Sequence, residues 1–166
     1  MRSRRGSPTA RQIAGDLDRL GPRRASSWCP CSPGASSSWR IWSGSFPQAR
    51  IGVTTVSSYP GKSTESQGVS MVGDLPPGLA GRHVLVVDDA LDSGRTLGAR
   101  ATIAAQGPAT LRTCVLLRKQ VPSALATPCD YVGFDIPDVF VVGYGLDYDD
   151  HYRNLPYVGV LRPEAM

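Results

Sequence analysis

The apolar positions of this chain fall into short runs separated by polar, glycine- and proline-containing stretches. Val84-Leu85-Val86-Val87 is continuous and rich in β-branched residues, which suits a strand buried on both faces of a sheet. Ile51 to Ser57 is β-branched and alternates, so it predicts a second strand. Thr110 to Leu117 predicts another buried strand. Asp138 to Tyr144 contains one more, and Tyr157 to Leu161 a last. Helical spacing occurs twice. Ile13, Leu17 and Leu20 fall at i, i+4 and i+7 within Thr9–Leu20, which Gly21-Pro22 stops. Ala-rich Thr96–Gln106 is ended by Gly107-Pro108. Between these runs, Ser58 to Gly68 reads as a long polar loop, Asp74 to Gly81 as a turn and Val121 to Asp130 as a Pro-containing loop.

Composition adds limits. At 166 residues the chain is one domain with room for a sizeable core. Residues 9–166 form that domain, and basic Met1 to Pro8 is expected to be a disordered tail. The net charge is +4, with arginine gathered at Arg2, Arg4, Arg5, Arg11, Arg19, Arg23, Arg24 and Arg40. No aromatic-interleaved basic stripe follows, which argues against nucleic acid as a partner. Cys29, Cys31, Cys114 and Cys129 have neither zinc-ligand spacing nor the number of a disulfide framework. They fit a reducing cytoplasm. No apolar run reaches the ~20 residues of a membrane span, and no signal peptide is expected.

The candidate chemistry follows the first apolar run. Asp88-Asp89 stand at its C-terminal end, then come Asp92, the small turn Ser93-Gly94, Arg95, and a helix opened by Thr96. Ligands of open α/β sheets bind outside the carboxyl ends of the strands. Ser93, Gly94 and Thr96 present amides and hydroxyls at a helix N-terminus, a ready phosphate cradle. Carboxylates beside a phosphate repel it unless a cation intervenes, and hard oxygen ligands beside phosphates imply Mg²⁺. A surface turn with Asp and Ser as caps is the plainer reading of the same residues.

The run Val84-Leu-Val-Val-Asp-Asp-Ala-Leu-Asp-Ser-Gly-Arg-Thr-Leu97 resembles the phosphoribosyl pyrophosphate (PRPP) signature of type I phosphoribosyltransferases. Tyr131-Val-Gly-Phe-Asp-Ile-Pro-Asp-Val-Phe-Val-Val-Gly-Tyr-Gly-Leu-Asp-Tyr148, continuing through Tyr152-Arg-Asn-Leu-Pro-Tyr157, resembles the C-terminal part of the hypoxanthine (hypoxanthine-guanine) branch of that family. The similarity runs from about Ile51 to Leu161. It implies an α/β fold with a central, mostly parallel sheet flanked by helices and a small hood, while the N-terminal third of this chain reads as irregular by its own composition. It implies transfer of the phosphoribosyl group from PRPP to hypoxanthine or guanine with Mg²⁺, in the cytoplasm, by a homo-oligomer (dimer or tetramer).

The resemblance also implies roles. Asp92 would be the general acid/base at purine N7. Asp88, Asp89, Asp92, Ser93, Gly94, Arg95, Thr96 and Arg153 would bind PRPP and its phosphates. Lys119 would reach the exocyclic oxygen of the purine, Phe140 would stack on it, and the backbone of Val141 would read its edge. Asp147 would lie by the purine and join Asp88 and Asp89 in anchoring the metal. Ser58 and Tyr59 would close a hood over the pyrophosphate. Two other readings stand beside this one. Val-Leu-Val-Val-Asp-Asp also suits the first strand of a receiver domain, but no lysine follows Lys119 to complete one. A catalytically impaired or regulatory PRPP- or nucleotide-binding protein on the same fold is the second.

Ala25 to Pro47 departs from the family pattern. It is rich in Ser, carries Trp28, Trp39 and Trp42, and has neither helix nor strand period. So long a structureless loop is uncommon inside a compact domain. The family has there a buried strand, a pyrophosphate loop ending in Gly, and a helix. The genetic code offers an explanation. Ser36 to Phe46 can be encoded so that the frame one base earlier reads Leu-Val-Phe-Val-Ala-Asp-Leu-Val-Arg-Gln-Leu, an amphipathic helix. The same shift turns Cys31 to Ala35 into a Val-Leu-Thr-Gly-Gly-like loop. An out-of-frame segment and a genuine Ser/Trp-rich insertion are the alternatives.

Overall fold

The computed structural model describes residues 12–13, 15–16, 25–30, 50–52, 55–57, 70–72, 75, 77–93, 99–162 and 164. The strands in chain order are β1 (Ala25–Pro30), β2 (Arg50–Ile51), β3 (Thr55–Ser57), β4 (Ser70–Val72), β5 (His83–Leu91), β6 (Thr110–Lys119), β7 (Tyr131–Ile136), β8 (Val141–Val142) and β9 (Gly159–Val160). Helix α1 (Ala99–Ala104) lies between β5 and β6, and α2 (Pro122–Ala126) between β6 and β7. Gln12, Ile13, Gly15 and Asp16 are helical as well.

The main sheet has the order β2-β1-β5-β6-β7, and every neighbouring pair in it is parallel. The apolar run of β5 explains the central place of that strand. Leu85 and Val87 face a cluster with Ile13, Cys114, Leu116, Leu117 and Tyr131. Val84 and Val86 face the other way, into a cluster with Leu79, Leu91, Ile103, Val115 and Ala124. The period of two along the strand thus feeds both cores. Ile13 covers one face, while Ile103 of α1 and Ala124 of α2 cover the other. Gly107, at φ +71°, donates its N–H to the Ala104 carbonyl and ends α1.

Several expectations are corrected. Within Ala25 to Pro47, which read as irregular, Ala25–Pro30 is a strand lying between β2 and β5, and residues 31–47 lie outside the described residues. Ile51 to Ser57 read as one strand. Its first part instead pairs parallel with β1, while Thr55–Ser57 pairs antiparallel with Ser70–Val72 in a separate sheet. β5 does not stop at Val87. Pairing with β6 continues to Leu91↔Arg118, so Asp88 and Asp89 lie within the strand and not after it. Val121–Asp130 read as loop, but Pro122 opens α2 at a position where its missing N–H costs nothing. Tyr131–Ile136 forms the edge strand β7, which periodicity alone did not mark. The expected helix over Thr96–Gln106 is present at Ala99–Ala104. The tail Met1–Pro8 and the loop Ser58–Gly68 lie outside the described residues.

Candidate active site

The candidate residues gather at the C-terminal edge of the parallel sheet, where the ends of β5, β6 and β7 stand side by side. Asp88 is buried at 1 % exposure within β5, and its Oδ1 accepts the Asp89 N–H at 3.0 Å. Asp89 is half-buried, and its Oδ1 accepts the Ala90 N–H at 2.7 Å. Successive residues of a strand point to opposite faces, so the two side chains leave β5 in opposite directions. Asp92 and Ser93 follow on an exposed bend. The Ser123 hydroxyl of α2 donates to the Asp92 carbonyl at 2.8 Å and ties that bend to the helix after β6. Gly94, Arg95 and Thr96 lie outside the described residues, as do Ser58 and Tyr59.

Lys119 ends β6 next to this bend. Its Nζ lies 3.2 Å from Asp92 Oδ2 and 3.1 Å from Asp138 Oδ1. Partial burial opposes the positive charge, but hydrogen bonds to Asp138 and Asp92 outweigh it and raise the lysine pKa above its ordinary value. Lys119 is therefore a fixed cation. Arg118, one residue earlier, points elsewhere and pairs with Asp135 at 2.7 Å. That hydrogen bond draws the Asp135 carboxyl below the ordinary carboxylate range.

The segment from Phe140 through β8 and the loop to β9 brings the remaining candidates. Phe140 is 40 % exposed, with Tyr148 edge-on to its ring at a centroid distance of 5.5 Å. Its carbonyl accepts the Leu161 N–H, and Val141 pairs with Val160. So large an exposed ring beside a polar edge suits a planar ligand. Arg153 donates to the Gly145 carbonyl at 3.0 Å and pairs with Asp147 at 3.0 Å and Asp150 at 3.1 Å. Asp147 also accepts the Asp150 N–H through Oδ2.

The structure thus brings Asp92 to Lys119, and Asp147 to Arg153. Among the described residues, no three carboxylate, histidine or cysteine side chains form a group able to hold a metal ion, so Asp88, Asp89 and Asp147 do not make a closed cage. Two site residues escaped the sequence reading. Asp138 was signalled only by its place in Asp-Ile-Pro-Asp, two positions before Phe140. Ser123 carried no signal at all.

Comparison with known proteins agrees with this geometry. The family model described as "Phosphoribosyl transferase domain" matches residues 4–149. A hypoxanthine-guanine phosphoribosyltransferase from Mycobacterium avium is 50% identical over 112 residues, 66% of this chain and 55% of the relative. One from Lactococcus lactis is 44% identical over 111 residues, 67% of this chain and 61% of the relative. The chain thus spans little more than half the length of these curated relatives. A solved hypoxanthine phosphoribosyltransferase from Trypanosoma cruzi, in a ternary substrates complex, has a TM-score of 0.86 at 34% identity, covering 95% of this chain and 88% of that one. Another from the same organism, in complex with the product IMP, has a TM-score of 0.82 at 31% identity, covering 100% of both chains. With a matching family model, such relatives and a parallel sheet carrying the acidic and basic residues at its edge, the chain belongs to the phosphoribosyltransferase family, on its hypoxanthine phosphoribosyltransferase branch.

Proposed function

We propose that this chain transfers the 5-phosphoribosyl group of PRPP to hypoxanthine or guanine, giving IMP or GMP and pyrophosphate, as a purine-salvage enzyme. One observation carries the reading: a lysine ammonium and a carboxylate stand 3.2 Å apart at the ligand-binding edge of the sheet. A 6-oxopurine offers an oxygen acceptor and the N7 proton along one edge. Lys119 donates to the first and Asp92 takes the second. Proton transfer at N7 by Asp92 is general acid/base catalysis, typically worth ~10²–10⁴-fold. Phe140 stacks on the base, and the backbone of Val141 reads its edge.

The rest of the site serves PRPP. Ser93 to Thr96 bind the 5′-phosphate, and Asp88 and Asp89 lie near the ribose hydroxyls. Arg153 suits the pyrophosphate, since a guanidinium meets phosphate oxygens through paired N–H groups. As the ribose C1 gains oxocarbenium character, this fixed charge stabilises the departing anion. Ser58 and Tyr59 close over the site and keep water from the sugar cation. Mg²⁺ suits one or two carboxylates plus substrate phosphates without a protein cage, so Asp88, Asp89 or Asp147 would hold it, and it would neutralise the leaving pyrophosphate. We assign the protein to the cytoplasm, as a homo-oligomer (dimer or tetramer). Among the described residues no helix is long and apolar enough to cross a membrane.

The same reading extends to Ala25–Pro47, which we propose is translated one base out of frame. β1 has a sheet neighbour on either side, a position that favours β-branched apolar residues. Its sequence, Ala-Ser-Ser-Trp-Cys-Pro, contains none. It can be encoded as GCC-TCG-TCG-TGG-TGC-CCG, one of several degenerate choices, which read one base earlier gives Leu-Val-Val-Val-Pro. Sequence similarity to the Mycobacterium avium relative takes in 66% of the chain, while structural similarity to the Trypanosoma cruzi protein takes in 95%.

Two experiments test these proposals. The coding DNA between Arg24 and Ile51 is read in all frames. An apolar strand, a Gly-Gly loop and an amphipathic helix in the earlier frame support the shift, and their absence from every frame overturns it. Magnesium-dependent assays with PRPP and hypoxanthine then follow IMP, on this chain and on the chain with the frame restored. IMP from either supports the phosphoribosyl transfer. Its absence from both, when folded, overturns it.

A further inference from the structure

We propose that Asp138 is a positioning residue that holds the Lys119 ammonium for the purine independently of Asp92, an inference that rests on the phosphoribosyl transfer above. An ammonium has three N–H donors. Asp92 Oδ2 takes one at 3.2 Å and Asp138 Oδ1 another at 3.1 Å, which leaves a third for a ligand oxygen. The two carboxylates are not equivalent. Asp92 must change partner when it takes the N7 proton, whereas Asp138 has no such task.

The backbone around Asp138 is built to keep it in place. Gln120, directly after Lys119, donates its N–H to the Ile136 carbonyl at 2.9 Å, so the ends of β6 and β7 are pinned together. Pro137 fixes its own φ. The Val139 N–H donates back to the Pro137 carbonyl at 2.9 Å, a tight turn with Asp138 at its apex. Phe140 follows two positions later. One short segment therefore sets both the lysine that meets the purine edge and the ring that meets its face.

Without Asp138, the remaining carboxylate partner of Lys119 among the described residues is Asp92. The ammonium then closes on the group that must serve N7, and its aim at the purine oxygen is lost. With Asp138 present, the charge is shared and Lys119 stays aimed while Asp92 exchanges its proton. The effect is on purine binding more than on the chemical step, because the lysine meets the purine oxygen before and during reaction.

The test uses Asp138→Asn and Asp138→Glu in the full chain. Asp138 is 63% exposed in its side chain, so Asn, of nearly the same shape, fits. Asn is expected to raise the KM for hypoxanthine about tenfold, the change that about 1.4 kcal/mol of lost binding gives. The KM for PRPP is expected to stay unchanged and kcat to fall less than the purine KM rises. Glu is expected to restore most of the loss. A second readout needs no turnover. The ¹⁵N-lysine spectrum should show a Lys119 Nζ signal slowed in exchange, kept in Asp92→Asn and lost in Asp138→Asn. IMP formation by the parent chain tests the reaction itself, while the lysine signal tests the anchor whether or not turnover occurs. An unchanged purine KM, or equal rises for purine and PRPP, or a Lys119 signal lost in Asp92→Asn and kept in Asp138→Asn, overturns the proposal.

Discussion

The Arg153 guanidinium lies 3.0 Å from the Asp147 carboxylate, and the same side chain reaches the Gly145 carbonyl at 3.0 Å. This pairing closes a loop that is costly to hold. Tyr144, Asp149, Asp150 and Tyr152 all have positive φ, between 48° and 73°. Left-handed backbone at a residue other than glycine costs on the order of 1 kcal/mol or more. Arg153 therefore shapes the strained loop while carrying the charge assigned to the pyrophosphate.

Arg153→Lys should separate those tasks from simple charge. A lysine keeps the charge but loses the planar fork that spans a carbonyl and two carboxylates. The KM for PRPP should rise about tenfold, as for loss of one charge-assisted hydrogen bond, while the KM for hypoxanthine changes little. Steady-state kinetics with each substrate varied in turn decides this. An unchanged PRPP KM would remove Arg153 from the pyrophosphate.

Asp92→Asn addresses the proton. The amide keeps the size of the carboxylate and can still accept from Lys119, but it cannot take a proton from N7. Turnover should fall by roughly 10²-fold or more, with IMP binding by calorimetry within a few-fold of the parent. Unchanged turnover would take Asp92 out of the acid/base role.

Gly133 stands opposite Leu116 at the β6–β7 pairing. A Cβ there would lie 2.5 Å from the Leu116 carbonyl oxygen, and backbone cannot step aside as a flexible side chain can. Gly133→Ala should cost roughly 1–3 kcal/mol, visible as a lower urea midpoint. Because β6 ends in Lys119 and β7 leads to Asp138, the same variant should also raise the purine KM.

The sequence made parts of this molecule readable for identifiable reasons. Val84 to Val87 announced a central strand because both faces of β5 are buried, and a buried parallel strand leaves a continuous apolar run. The reach of β5 to Leu91 was hidden, because Asp88 and Asp89 break the run while the backbone ladder to β6 continues. β7 was hidden because an edge strand with Phe134 and Asp135 exposed has little apolar pattern to show. β1 was hidden because its residues carry no strand signal, although strands flank it on both sides. At the site, the resemblance pointed to Asp92 and Lys119 one by one, and the structure puts them in contact. Asp138 needed the structure, since its value lies in a distance to a residue on another strand.

Tyr131 supplies a prediction about pH. Its hydroxyl donates to Asp16 at 2.5 Å and accepts from Arg112 at 2.7 Å, while Arg112 also reaches Asp16 at 2.9 Å. These contacts join the N-terminal helical residues to the start of β7. Burial, helped by the hydrogen bond to Asp16, raises the phenol from 10.0 to about 12, against the pull of Arg112. A group whose pKa is raised by folding holds its proton more tightly in the folded chain. Its contribution is complete below pH 10, where both states are protonated, and it drains away as the pH climbs from 10 to about 12. Urea melts at a series of alkaline pH values should therefore show stability falling across that window. Tyr131→Phe removes the titrating group. It should cost roughly 1–2 kcal/mol at neutral pH through the lost hydrogen bonds, and its stability should fall less steeply above pH 10. Parallel alkaline slopes for the two proteins would mean that the phenol titrates alike in the folded and unfolded chain, and that the Asp16 contact does not persist in solution.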